Sequence, residues 1–130
     1  MKAPKWIGRR ALFLLHEETL AEHGGLPGWR DENAFDAALA RPLHLHNYEP
    51  SADLARLAAA YGFGIVRGHP FNDGNKRTGF LAVGLFLALN GLTLSAEQSD
   101  AVETIHRLAA GKLTENELAT WIRERMIRSR

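Results

Sequence analysis

Apolar residues recur at helical spacing along nearly the whole chain, and only Leu92-Thr93-Leu94 alternates as a strand would. Three alternating residues are too few to make a sheet. The expected fold is therefore all-α, a compact six-helix bundle with one apolar helix at its centre. Ile7, Ala11, Leu14 and Leu15 mark the buried stripe of the first helix, which Gly24-Gly25 stops after His23. Leu26-Pro27-Gly28 reads as a turn. Asp31 is placed to cap a short second helix through Phe35, Ala38 and Leu39, ended by Pro42, with an exposed loop from Pro42 to Pro50.

Ser51 is expected to cap a third helix carrying Leu54, Leu57, Ala58, Tyr61 and Ile65. Thr78 to Asn90 is apolar almost all round, the mark of a helix surrounded by others, and Asn90-Gly91 stops it. Ser95-Ala-Glu-Gln98 and Thr114-Glu-Asn-Glu117 both fit the capping box, in which a Ser or Thr side chain and the fourth residue satisfy each other's free amides. They open helices five and six, on either side of Gly111.

At 130 residues, 45% of them hydrophobic, the chain can bury the core of one domain, residues 1–130. Sixteen Lys and Arg against fifteen Asp and Glu leave a formal charge of +1, so no global field draws it to nucleic acid or an anionic membrane. The C-terminal Arg123, Arg125, Arg128 and Arg130 read as a solvated face. There is no cysteine, which excludes disulfides and thiolate chemistry and fits the cytoplasm. The apolar runs Ala11 to Leu15 and Phe80 to Leu89 are too short for a signal sequence or a membrane span, so no membrane partner is expected.

The chemistry concentrates in GHPFNDGNKRTG, residues 68–79. Gly68 ends one helix, Pro70 fixes the backbone after His69, and Gly74 relaxes steric limits before Asn75. Successive backbone amides can then face outward at a helix N-terminus, where free N–H groups and the helix dipole favour a phosphate. Lys76 and Arg77 add charge in the first turn, where cations are unfavourable unless something negative offsets them. Asp73 is either that group or a ligand for Mg²⁺, which takes one or two carboxylates beside phosphate oxygens. His69, with an ordinary pKa of about 6.5, is the candidate general base. Phe71 and Phe80 would anchor the loop in the core. Each residue alone also has a plain reading: Asn72 or Asp73 as an N-cap, Lys76 and Arg77 as solvated charges, His69 as a loop histidine. Together, base, metal ligand, amide and phosphate donors within nine residues favour a phosphate-handling site. No Walker-type phosphate loop or H-E-x-x-H occurs, and His16, His23, His44 and His46 lack metal-ligand spacing.

The stretch His69-Pro-Phe71-Asn-Asp73-Gly-Asn75-Lys76-Arg77 resembles the signature of the Fic superfamily, and more closely its Doc (death-on-curing) branch. Leu15-His16 ahead of Gly24-Gly25-Leu-Pro-Gly28, the Ala38 to Pro42 stretch and Arg67-Gly68 resemble Doc sequences in the same order. Fic enzymes that transfer AMP typically carry a glycine where Lys76 stands and an arginine where Phe80 stands. A lysine side chain crowds the space in which a glycine lets backbone approach the diphosphate. The resemblance implies the toxin of a type II toxin–antitoxin module, a protein kinase that moves the ATP γ-phosphate to a threonine hydroxyl of elongation factor Tu and so blocks translation. It implies His69 as base, Asp73 as Mg²⁺ ligand, and Asn75, Lys76, Arg77 and the Gly74 amide as phosphate donors, with Arg67 as a further contact or simply a helix-end cation. AMP transfer to a protein hydroxyl, and a non-catalytic nucleotide-binding or partner-binding module, are the alternatives. No [ST]-x-x-x-E-[GN] inhibitory helix is found, since Ser99 to Glu103 is followed by Thr104. Restraint would then come from a cognate antitoxin with a disordered tail.

Overall fold

The computed structural model describes residues 3–130. In chain order its elements are α1 (Arg9–His23), α2 (Glu32–Tyr48), α3 (Leu54–Gly68), α4 (Asn75–Leu89), β1 (Leu92–Leu94), α5 (Gln98–Ala109), α6 (Glu115–Arg123) and β2 (Met126–Arg128). The all-α expectation holds. No helix among the described residues is long and apolar enough to cross a membrane.

The helix at the centre is α3, which packs against α2, α4, α5 and α6. Its small residues permit that crowding. A Cβ on Gly64 would lie 3.0 Å from the Ala38 Cα on α2, and one on Gly62 would lie 2.9 Å from Val83 Cγ2 on α4. Ala58, Ala59, Ala60, Tyr61 and Ile65 are fully buried. By contrast α4, read from the sequence as the enclosed helix, leaves Leu81 and Leu89 partly in solvent. Its apolar surface packs on α3, where Phe86 meets Tyr61, and the same Phe86 ring stacks on Trp6 ahead of α1.

Several boundaries differ from the sequence reading. The buried face of α1 is Leu12, His16 and Thr19; Ala11 and Leu14 are exposed, and Ile7 is buried ahead of the helix. Pro42 does not end α2, which runs on to Tyr48, so the expected loop is helical. Phe35, Ala38 and Pro42 are buried together on the face toward α3, and that burial outweighs the one lost backbone hydrogen bond. Asp53, not Ser51, caps α3 by accepting the Arg56 N–H at 3.0 Å. Thr114 and Glu117 form the expected capping box. Ser95 caps nothing, because its N–H donates to the Arg125 carbonyl and prolongs the pairing of β1 with β2.

That pairing overturns the reading of Leu92-Thr93-Leu94 as isolated. The antiparallel register sets Leu92 opposite Arg128, Thr93 opposite Ile127 and Leu94 opposite Met126. Leu92, Leu94 and Met126 turn onto the core, so the little sheet is held by burial as well as by its ladder. The C-terminal arginines are only partly a solvated face. Arg123 bonds both oxygens of Asp53, and Arg125 bonds Asp100 while lying 4.7 Å over the Trp121 ring.

Candidate phosphate-binding site

The loop between α3 and α4 is tied at every residue to something outside itself. His69 follows α3 in the left-handed region, φ 53°, the only described non-glycine residue with a positive φ. Its N–H still reaches the Ile65 carbonyl at 3.0 Å, closing the helix. Arg30 stabilises this strained corner. Its guanidinium donates to the carbonyls of Gly68, at 2.9 Å, and His69, while the Arg30 and Asp31 backbone N–H groups both reach the Pro70 carbonyl. A cation at the C-terminal end of α3 also complements the helix dipole.

Phe71 is the buried anchor. Its ring stacks on His16 and Trp29 and tilts against Phe35, and a single antiparallel bridge joins its backbone to that of Trp29. Asn72 N–H donates to Gly28 and the Asn72 side chain to Pro27, so Asn72 is no N-cap. The residue at that position is Gly74, φ 84°, without a side-chain bond. A φ of this sign suits glycine, and a Cβ there would also press on the His16 ring at 3.4 Å.

Asp73 does not neutralise the cations beside it. One carboxylate oxygen accepts the Leu26 N–H at 2.6 Å and the other has no partner among the described residues. Its backbone carbonyl accepts from His16 Nε2 at 2.8 Å. Lys76 and Arg77 are exposed and form no ion pair or hydrogen bond with any described residue. The first amide of α4 to bond backward is that of Thr78, to Gly74 at 2.9 Å. Those of Gly74, Asn75, Lys76 and Arg77 meet no protein acceptor among the described residues. Four free N–H groups, a positive helix end and two unpaired cations make a place for a multiply charged anion.

Asn75, buried at 4% exposure, faces the other way. Its Oδ1 accepts the Phe71 N–H and its Nδ2 donates to the Phe71 carbonyl, which fixes the orientation of the amide. The same Nδ2 lies 3.2 Å from His69 Nδ1. An amide nitrogen only donates, so Nδ1 accepts and the ring proton sits on Nε2. The exposed ring must give up this contact before Nε2 can serve as a base.

The structure thus brings together His69, Asp73, Gly74, Asn75, Lys76 and Arg77. It does not bring Arg67 to them: that guanidinium lies over Phe63 and against Gly111, where a Cβ would approach Arg67 Nη1 at 3.4 Å. No group of three or more His, Asp or Glu gathers among the described residues. Two cavities, of about 410 Å³ and 760 Å³, share no lining residue with the loop, as expected for an anion site open to solvent at a helix end.

Sequence reasoning missed His16 and Arg30. The signal for His16 was its place four residues after Leu12 and three before Thr19 on one helix face, which a stripe drawn through Ala11 and Leu14 hides. Arg30 acts on carbonyls 38 and 39 positions away, and no local pattern reveals that.

A model of the Fic/DOC family matches residues 6–87, well over half of the chain. The chain belongs to the Fic/DOC family. Among its relatives, Protein kinase doc of Escherichia phage P1 is 33% identical over 117 residues, 90% of this chain and 92% of its own. Toxin Doc of Mycolicibacterium smegmatis is 39% identical over 75 residues, covering 57% of this chain and 58% of that protein. The part matched to the Fic/DOC family runs from just before α1 through most of α4. It contains the loop and each residue found to brace it, His16 and Arg30 included.

Proposed function

We propose that this protein is a Doc-type toxin and a protein kinase, transferring the γ-phosphate of ATP to a threonine hydroxyl of elongation factor Tu and thereby stopping translation. The observation that carries the phosphate reading is the N-terminus of α4, where exposed Lys76 and Arg77 stand beside free amides with no negative partner among the described residues. The kinase reading is supported by the likeness to a relative named as a protein kinase, and by Lys76 in place of the glycine of AMP-transferring Fic proteins.

In this mechanism the Gly74 to Arg77 amides and the two cations hold the phosphates in line with the incoming hydroxyl and take up charge on the transferring group. Mg²⁺ held by the open oxygen of Asp73 would neutralise phosphate charge when bound. The hydroxyl oxygen forms its bond to the γ-phosphorus as the bond to the bridging oxygen of ADP breaks. The hydroxyl proton passes to His69 Nε2 once the ring has turned away from Asn75 and carries its own proton on Nδ1 instead, which leaves Nε2 open to accept. Arg30 and Phe71 hold the loop in place throughout. The action belongs in the cytoplasm, where the target and a cognate antitoxin with a disordered tail would meet the toxin.

The test uses purified elongation factor Tu, Mg²⁺, and ATP labelled on either the γ- or the α-phosphate, with His69→Ala beside the unaltered protein. Transfer from γ alone, lost in His69→Ala, is expected. Transfer from α would replace the kinase reading with AMP transfer. No transfer of either label would overturn the proposed target, and a His69→Ala protein as toxic as the parent would overturn both enzymatic readings in favour of a binding module.

A further inference from the structure

We infer that His16 is a positioning residue for the phosphate site, orienting the peptide between Asp73 and Gly74 so that the Gly74 N–H faces the bound phosphate. This inference rests on the reading of the loop as an ATP-phosphate site. His16 projects from the buried face of α1 at 1% exposure. Its ring lies nearly parallel to that of Phe71, with centroids 3.4 Å apart, and Gly74 covers its Cδ2–Nε2 edge. The ring is thus packed between Phe71 and Gly74.

A carbonyl oxygen only accepts, so the 2.8 Å contact has His16 Nε2 donating to Asp73. The other nitrogen, Nδ1, is buried with no partner among the described residues. That detail separates a packing role from a positioning one. A phenylalanine or leucine would fill this space without burying an unsatisfied polar atom, which proteins rarely tolerate without a compensating task. Here the only polar task the ring performs is to hold one carbonyl.

What that carbonyl controls follows from peptide geometry. In a planar trans peptide the C=O and the following N–H point in opposite directions. Drawing the Asp73 oxygen inward to His16 therefore turns the Gly74 N–H outward, toward the exposed end of α4. Asp73 is also the residue four before Arg77, so its oxygen is the acceptor that a continued helix would offer to the Arg77 N–H. With His16 bonded to that oxygen, the Arg77 amide bonds no described residue. One ring N–H thus accounts for two of the four free amides.

The test follows the amide signals of residues 74–77 in ¹⁵N-labelled protein titrated with Mg²⁺-ATP, comparing the parent with His16→Phe, which keeps the ring stack, and His16→Gln, which returns an N–H donor. We expect His16→Phe to bind ATP about 10-fold or more weakly, the usual size of effect when a supporting hydrogen bond is lost, with the Gly74 response abolished. His16→Gln should recover most of both. If the parent binds and His16→Phe binds equally well with the same Gly74 response, the role of His16 is overturned while the ATP site stands. If amides 74–77 of the parent do not respond to Mg²⁺-ATP, the phosphate reading itself fails and takes this role with it. Should His16→Phe not fold, ¹⁵N spectra of the parent's own ring decide: a protected Nε2–H supports the assignment, and the Nδ1–H tautomer or a freely exchanging Nε2–H overturns it.

Discussion

Asn75 holds Phe71 by both of its backbone groups, accepting the Phe71 N–H at 3.0 Å and donating to the Phe71 carbonyl at 2.9 Å. The first turn of α4 thereby clamps the residue that anchors the loop in the core. Asn75→Ala leaves a buried donor and a buried acceptor unpaired, at about 1–3 kcal/mol each. Asn75→Asp restores the acceptor but sets an oxygen against the Phe71 carbonyl, so its loss should also be large. Urea denaturation measures both. A stability for Asn75→Ala equal to that of the parent would show that water or a shifted loop replaces the clamp.

Where α3 and α4 cross, Gly62 faces Gly79. A Cβ on Gly79 would lie 2.5 Å from Val66 Cγ2 and 3.3 Å from the Gly62 carbonyl. Alanine in a helix ordinarily stabilises by roughly 0.5–1 kcal/mol over glycine. Overpacking against backbone costs about 1–3 kcal/mol, so Gly79→Ala should be net destabilising. Gly84, with no neighbour among the described residues within 4 Å of its Cβ position, supplies the control on the same helix. Gly84→Ala should raise the melting temperature and Gly79→Ala lower it; equal effects would remove the close crossing as the reason for glycine at 79.

How much of this was legible beforehand divides along the range of the interactions. The helices and the stops at Gly24 and Gly91 depend on a few neighbouring residues, and so does the capping box at Thr114; their pattern was readable. Pro42 misled because its local cost is outweighed by burial against α3, which the sequence does not display. Ser51 and Ser95 had the right chemistry for caps, but the competition was decided elsewhere, by Asp53 and by the Arg125 carbonyl. Leu92 to Leu94 gained a partner over thirty residues later. The loop was conspicuous as a cluster of residue types, yet its bracing by His16 and Arg30 and the placing of Arg67 beside Phe63 are tertiary facts.

Asp53 joins two duties whose pH dependence can be read. The Arg123 guanidinium holds its carboxyl below the usual carboxylate range, against the opposing effect of burial, and the Arg56 N–H at the start of α3 adds to the lowering. On acidification the unfolded chain takes up this proton first, so the contribution is fully present above the ordinary aspartate value of about 3.9 and is lost as pH falls through the folded one. Asparagine is itself a good cap, so Asp53→Asn removes chiefly the charge. The variant should be less stable than the parent at pH 7, with the difference closing below about pH 4. A gap of constant size across that range in denaturant melts would assign it to packing instead.

Under the proposed function, Lys76 is the residue that would distinguish the two transfer chemistries. Its side chain is exposed in the first turn of α4 with no partner among the described residues, so it is free to meet a phosphate, and a glycine there would open the space it occupies. Lys76→Gly removes one donor to the transferring group, and losing a single such donor lowers turnover by about 10²–10³-fold. The helix itself should survive, since glycine at an exposed helical position costs about 1 kcal/mol. Lys76→Arg separates charge from shape, because a planar guanidinium keeps the positive charge without the compact ammonium geometry. If nucleotide orientation depends on this residue, Lys76→Gly loses transfer of γ-label and gains transfer of α-label, while Lys76→Arg keeps γ-transfer at a reduced rate. Unchanged γ-transfer in Lys76→Gly would mean that the amides of α4 and Arg77 hold the phosphates without it, and the choice between kinase and AMP transfer would have to be sought at another residue.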